Sequence, residues 1–149
     1  MATRADVTEK ILSAKRRKKL SWRTIADEIG GASPVLVTAA CLGQMRMTEE
    51  QAEKAAKLFG LDEEERILLT EIPYRGSLPT QVPTDPLIYR FYELVAVYGT
   101  TWKELIQGEF GDGIMSAIDF DMTLERQPDP KGDRVRIVMS GKFLPYKSY

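Results

Sequence analysis

The sequence predicts an α+β fold, on two changes of texture along its 149 residues. Residues 1–75 read as helix after helix, three of them opened by a capping serine or threonine. After the turn Gly111-Asp112-Gly113 the apolar period drops from 3.6 to 2, which marks a β-hairpin. Between them, residues 76–86 contain Pro79, Pro83 and Pro86 and read as a linker. The predicted organisation is a helical domain over residues 1–80 and a second domain of helices plus a hairpin over residues 81–149.

The first helix is placed from about Val7 to Leu20, with Val7, Ile11, Leu12 and Ala14 on one side. The run Lys15-Arg16-Arg17-Lys18-Lys19 closes it, where cations offset the helix dipole. Ser21 caps a second helix through Ile25 and Ile29. After the turn Gly30-Gly31-Ala32, Ser33 caps a third helix with Pro34 in its first position. Thr48 and Gln51 form a capping box for a fourth helix that ends near Gly60. A fifth helix runs from Asp62 to about Leu69.

The spacing Ile25-Ala26, Gly30, Val35, Leu42 resembles the helix-turn-helix of small repressor domains. A recognition helix needs Arg, Lys, Asn or Gln at base edges, and the third helix offers only Ser33 and Thr38. The chain carries 21 basic against 22 acidic residues, without the basic excess of a free-standing nucleic-acid binder. No nucleic-acid partner is therefore expected, and an apolar helix face of this kind suits another protein surface.

In the second domain, Asp85 caps a helix with Pro86 at its first position. Residues 87–98 are nearly apolar all round, so this helix is expected in a core or at a subunit interface. Gly99 is taken as its end, and Thr101 with Glu104 as the capping box of a further short helix to about Phe110. In the hairpin, Ile118, Phe120, Met122 and Leu124 alternate with Ala117, Asp119, Asp121, Thr123 and Glu125. Residues 128–133 turn the chain, and Val135, Ile137 and Met139 alternate with Arg134, Arg136 and Val138. A lone two-stranded hairpin is marginal in water, so it must pack on helices or pair with a second copy, and an oligomer is expected.

Composition narrows the chemistry. There is no histidine, so His-based triads and His metal sites are excluded. Cys41 is the single cysteine, which excludes an intrachain disulfide framework, and it falls in an apolar helix as a core residue. No apolar run reaches the roughly 18 residues of a membrane span. The N-terminal residues lack the apolar stretch of a secretory signal, and with the lone cysteine this suggests a cytoplasmic protein.

Arg90 and Glu93 are the only charged residues between Asp85 and Lys103. Three apart on a helix, they share a face, with Val97 one turn on. They read either as a buried structural ion pair or as an anion receptor in an apolar wall. Ser116, beyond the glycine turn, reads either as a strand-start serine bonding its own backbone or as a donor to a small anion. No histidine is present to make it a nucleophile. Tyr89 and Tyr92 flank Arg90 but fall on other faces of the helix.

Pro83-Thr84-Asp85-Pro86, Tyr89-Arg90-Phe91-Tyr92-Glu93, Val97-Tyr98-Gly99-Thr100-Thr101 and the run Phe110 to Ile118 closely resemble the cyanase (cyanate hydratase, cyanate lyase) family. Gly141-Lys142-Phe143-Leu144-Pro145 is similar to that family's C-terminal sequence. The family's catalytic arginine, glutamate and serine fall on Arg90, Glu93 and Ser116. The resemblance implies a lyase that breaks cyanate down to ammonia and carbon dioxide through carbamate, with bicarbonate as co-substrate. It implies no metal or organic cofactor. It also implies a homodecamer, a pentamer of dimers, with interlocked C-terminal hairpins and sites shared between subunits.

Overall fold

A computed structural model describes residues 1–148 and contains six helices and one two-stranded antiparallel sheet. The helices are α1 (Arg4–Arg17), α2 (Trp22–Ile29), α3 (Pro34–Cys41), α4 (Glu49–Phe59), α5 (Glu63–Thr70) and α6 (Pro86–Phe110); the strands are β1 (Gly113–Gln127) and β2 (Arg134–Pro145). The chain divides into two compact units. One comprises Met1–Gly76 with the hairpin tip Asp121–Met139; the other comprises Ser77–Phe120 with the chain from Ser140 on.

In the first unit, local chemistry sets every helix start. Thr3, Thr48 and Asp62 each close a reciprocal capping box, with Asp6, Gln51 and Glu65 respectively. Ser21 and Ser33 accept from Thr24 N–H and Leu36 N–H. The Thr3 box starts α1 three residues earlier than the apolar pattern alone predicts. Gly60 ends α4 in the left-handed region at φ 70°. The apolar faces meet in a core of Val7, Ile11, Ile25, Ile29, Val37, Cys41, Phe59 and Leu69, with small alanines between them. Ion pairs tie its outside: Lys10 Nζ to Glu65 at 2.7 Å joins α1 to α5, and Arg66 reaches Glu49 at 2.6 Å from α5 to α4.

The hairpin tip leans on the same unit. Ser33 Oγ donates to the Met122 carbonyl at 2.8 Å, and Arg23 donates to the Leu124 carbonyl at 3.2 Å. Leu124 lines an apolar groove with Trp22, Pro34, Val35 and Thr38.

In the second unit, Asp85 accepts from Leu87 N–H and Ile88 N–H at 2.9 and 3.0 Å, and Pro86 takes the first helical position. The expected break at Gly99 is absent: α6 is one helix of 25 residues, and Thr101 caps nothing. Glycine in a helix interior costs about 1 kcal/mol relative to alanine but does not stop the helix when its φ stays negative. The apolar residues on both sides carry the helix through. The glycine that does end it is Gly111, at φ 91°. No residue of α6 is buried within the chain, so the core alternative falls for this apolar helix. None of the described helices is long and apolar enough to cross a membrane.

Two outcomes are expected. Ala at Gly99 would meet Val95 at an ordinary 3.7 Å, so Gly99→Ala should raise the thermal midpoint by the equivalent of up to about 1 kcal/mol; a fall would place a helix break there. Burial pushes the Cys41 thiol from 9.0 to about 12. Its native pKa is raised, so its contribution to stability is complete below about pH 9 and is lost as pH climbs toward 12. At pH 8 a thiol reagent should label Cys41 only after denaturant is added.

Candidate functional site

The long helix α6 presents Arg90 and Glu93 one turn from its start. Arg90 Nη1 donates to Glu93 Oε2 at 2.7 Å, the i, i+3 pairing that the spacing predicts. The pair is not buried: the side chains are 64% and 47% exposed within the chain. The surrounding helix face has no cover from its own chain. Arg90 also lies 5.8 Å from the Tyr89 ring centroid, and Tyr89 in turn meets Tyr92 at 5.8 Å between centroids.

Arg90 and Glu93 line a shallow cavity of about 290 Å³ with Leu94, Val97 and Tyr98. Val97 is where the sequence places it. Leu94 and Tyr98 were not singled out, although they stand four and eight residues after Arg90 and so belong to the same helical stripe. Tyr89 and Tyr92 stay outside this lining, as their spacing requires.

Ser116 is placed differently from expectation. It is the fourth residue of β1, which begins at Gly113. It is 5% exposed and is the only buried residue from α6 onward among those described. Its Oγ accepts from Ile118 N–H at 3.0 Å and from Asp119 N–H at 2.9 Å. Both lone-pair directions are thereby filled by backbone donors, and the hydroxyl hydrogen is what remains to offer. Ser116 bonds its own backbone, so one alternative for it holds locally, and that bonding leaves the donor role open.

Gly141 on β2 makes this packing possible. A methyl group there would run into the Ser116 carbonyl and the Met115 side chain. Gly113 is under the same constraint against Phe143 and the Leu144 carbonyl. Phe143 stacks on Phe110 at 5.2 Å between centroids, and Tyr146 N–H donates to the Asp112 carbonyl at 3.0 Å, which closes the base of the hairpin against the end of α6. A glycine facing a strand partner is a signal of close backbone approach that could have pointed to Gly141. Within one chain, Ser116 does not line the Arg90–Glu93 cavity. Among the described residues no cluster of three or more acidic or thiol side chains has the geometry of a metal site.

Comparison with known proteins adds the family. Residues 80–148 match the model described as the cyanate lyase C-terminal domain, and residues 4–73 match the N-terminal model for cyanate hydratase. Cyanate hydratase of Polaromonas sp. is 62% identical over 146 residues, which covers 98% of this chain and 99% of that protein. Cyanate hydratase of Ralstonia pickettii is 65% identical with the same coverage. The crystal structure of cyanase from T. urticae superposes with a TM-score of 0.80 at 36% identity, over 93% of this chain and 96% of that one. With both halves of the sequence matched and the fold shared, this chain belongs to the cyanate hydratase (cyanate lyase) family.

Proposed function

We propose that this chain is a lyase that decomposes cyanate, with bicarbonate as co-substrate and carbamate as intermediate. One cyanate, one bicarbonate and two protons give one ammonia and two molecules of carbon dioxide. The observation that carries this is the Arg90–Glu93 pair set in an apolar stripe of α6, in a chain whose full-length relatives are cyanate hydratases.

Both substrates are monoanions, and bringing them to about 4 Å costs roughly 4 kcal/mol of repulsion at an effective dielectric near 20. Arg90 is the cation placed to offset it. Its fork is oriented by Glu93, which occupies one Nη1 hydrogen and leaves the other guanidinium donors for the anions. Ser116 adds a neutral donor whose direction is fixed by the two backbone N–H groups on its oxygen. Fixed donors around developing negative charge need no reorganisation as the reaction proceeds. Once bicarbonate and cyanate lie side by side, proximity supplies much of the remaining acceleration. Arg90, Glu93 and Ser116 are in this sense the catalytic residues, and Glu93 acts mainly by orientation. No resident metal or organic cofactor takes part.

The site is shared between subunits of a homo-oligomer, a decamer built as a pentamer of dimers, acting in the cytoplasm. Supporting this, α6 offers Leu87, Phe91, Val95 and Leu105 to its surroundings without burying any, and Ile118 on β1 is 98% exposed. Hairpins pairing between subunits would cover such a face. The α2–α3 pair is the repressor-like element, retained as architecture without DNA contact. Helix α3 carries no Arg, Lys, Asn or Gln, and Ser33 is engaged by its own cap and by the Met122 carbonyl.

Ammonia release from cyanate in carbonate-depleted buffer should require added bicarbonate and survive exhaustive chelation; release without bicarbonate would remove the co-substrate. Arg90→Leu should lower turnover at least about 100-fold. Glu93→Gln keeps an acceptor for Arg90 and should retain activity within about tenfold of wild type, whereas Glu93→Leu should not. A Glu93→Gln enzyme as inactive as Glu93→Leu would instead make Glu93 a proton-transfer group. Gly141→Ala should abolish activity by displacing Ser116.

A further inference from the structure

The cavity beside Arg90 has a second donor on its wall. Leu94 and Val97 offer it only hydrocarbon. The Glu93 carboxylate can accept but not donate, and its Oε2 is engaged by Arg90 Nη1 at 2.7 Å. The Tyr98 hydroxyl is the remaining polar group of the lining, and it is a neutral donor. It forms no hydrogen bond with another described residue.

The helix sets where that donor points. Tyr98 follows Arg90 by two turns, roughly 12 Å along the axis. Long side chains on a helix lean toward its N-terminus, so the Tyr98 ring leans over Leu94 toward Arg90. Arg90 reaches the other way, toward Glu93. The two side chains thus converge on one cavity of about 290 Å³. One turn further on, Trp102 stacks on Tyr98 at 6.4 Å between centroids and 30° between planes. The indole backs the phenol on the side away from Arg90 and keeps it over the cavity.

We propose that the Tyr98 hydroxyl donates to the anion held by Arg90, which makes Tyr98 a cyanate-binding residue. Cyanate carries an acceptor atom at each end, so one end takes the guanidinium and the other the phenol. The carboxylate of Glu93 does not oppose this, because its charge is paired with Arg90. The assignment rests on the reading of Arg90 as the cation of a cyanate site.

The test is Tyr98→Phe in the full-length protein, which removes the oxygen and keeps the ring that meets Trp102. Ammonia release at saturating bicarbonate should show a KM for cyanate raised about tenfold, as for loss of a hydrogen bond to a charged group, with kcat within about twofold of wild type. Calorimetric titration with azide, a linear triatomic monoanion without a carbon to attack, should show a matching loss of about tenfold in affinity. A KM and an azide affinity both within about twofold of wild type overturn the proposal, as does a fall in kcat with both unchanged, which would be a contact made only in the transition state. Wild-type protein that binds azide but releases no ammonia overturns the cyanate reading instead, and the azide affinity of Tyr98→Phe then decides the role of the hydroxyl by itself.

Discussion

Burial of apolar surface is the constraint on which the rest of this chain depends, and it is met in one half only. Every residue of the buried apolar core lies between Val7 and Leu69. The longest helix, α6, buries none of its 25 residues within the chain. Each large apolar side chain left in water forgoes roughly 1.5–3 kcal/mol relative to full burial. The helical unit therefore closes on itself, while the C-terminal unit is a surface that needs cover. The charged pair of the candidate site stands on that same surface, so the demand for cover and the placement of chemistry coincide on one helix.

The two polar elements of the site solve opposite problems. Arg90 is a charge on an open face, and its orientation has to be imposed by a neighbour, which Glu93 does at 2.7 Å. Ser116 is a neutral group in the one buried position of its region, and its orientation is imposed by the backbone of its own strand. One arrangement can rotate as Glu93 rotates; the other is fixed as long as the strands stay together, which Gly141 and Gly113 permit by carrying no side chain.

The helical half was legible because its signals are local. A serine, threonine or aspartate before a helix and a glutamate or glutamine three residues later act within one turn, and Thr48–Gln51 and Ser33–Pro34 behave as read. The Thr3–Asp6 box lies ahead of the apolar stripe, whose first buried residue is Val7, so the stripe alone does not mark the helix start. Gly99 misled for a related reason: a glycine followed by two threonines has the composition of a helix end, but only a positive φ makes it one, and sequence does not carry φ. Arg90 and Glu93 stood out as charges in an apolar run, and the structure pairs them. Leu94 and Tyr98 went unnamed because apolar residues in an apolar helix carry no contrast. No local pattern in the sequence links Ser116 to Arg90, and within one chain the two do not line one cavity.

The caps have a kinetic consequence as well. All five helices of the first unit begin with a bond closed inside one turn, and two of their packings, α2 on α3 and α4 on α5, join neighbours in sequence, while α1 closes the unit on α4 and α5. Local bonds and neighbour packing of this kind favour rapid folding. Emerging first from the ribosome, at some 5–20 residues per second, this segment has time to reach its final structure before α6 is synthesised. The apolar helix is then synthesised attached to a neighbour that has already buried its own core.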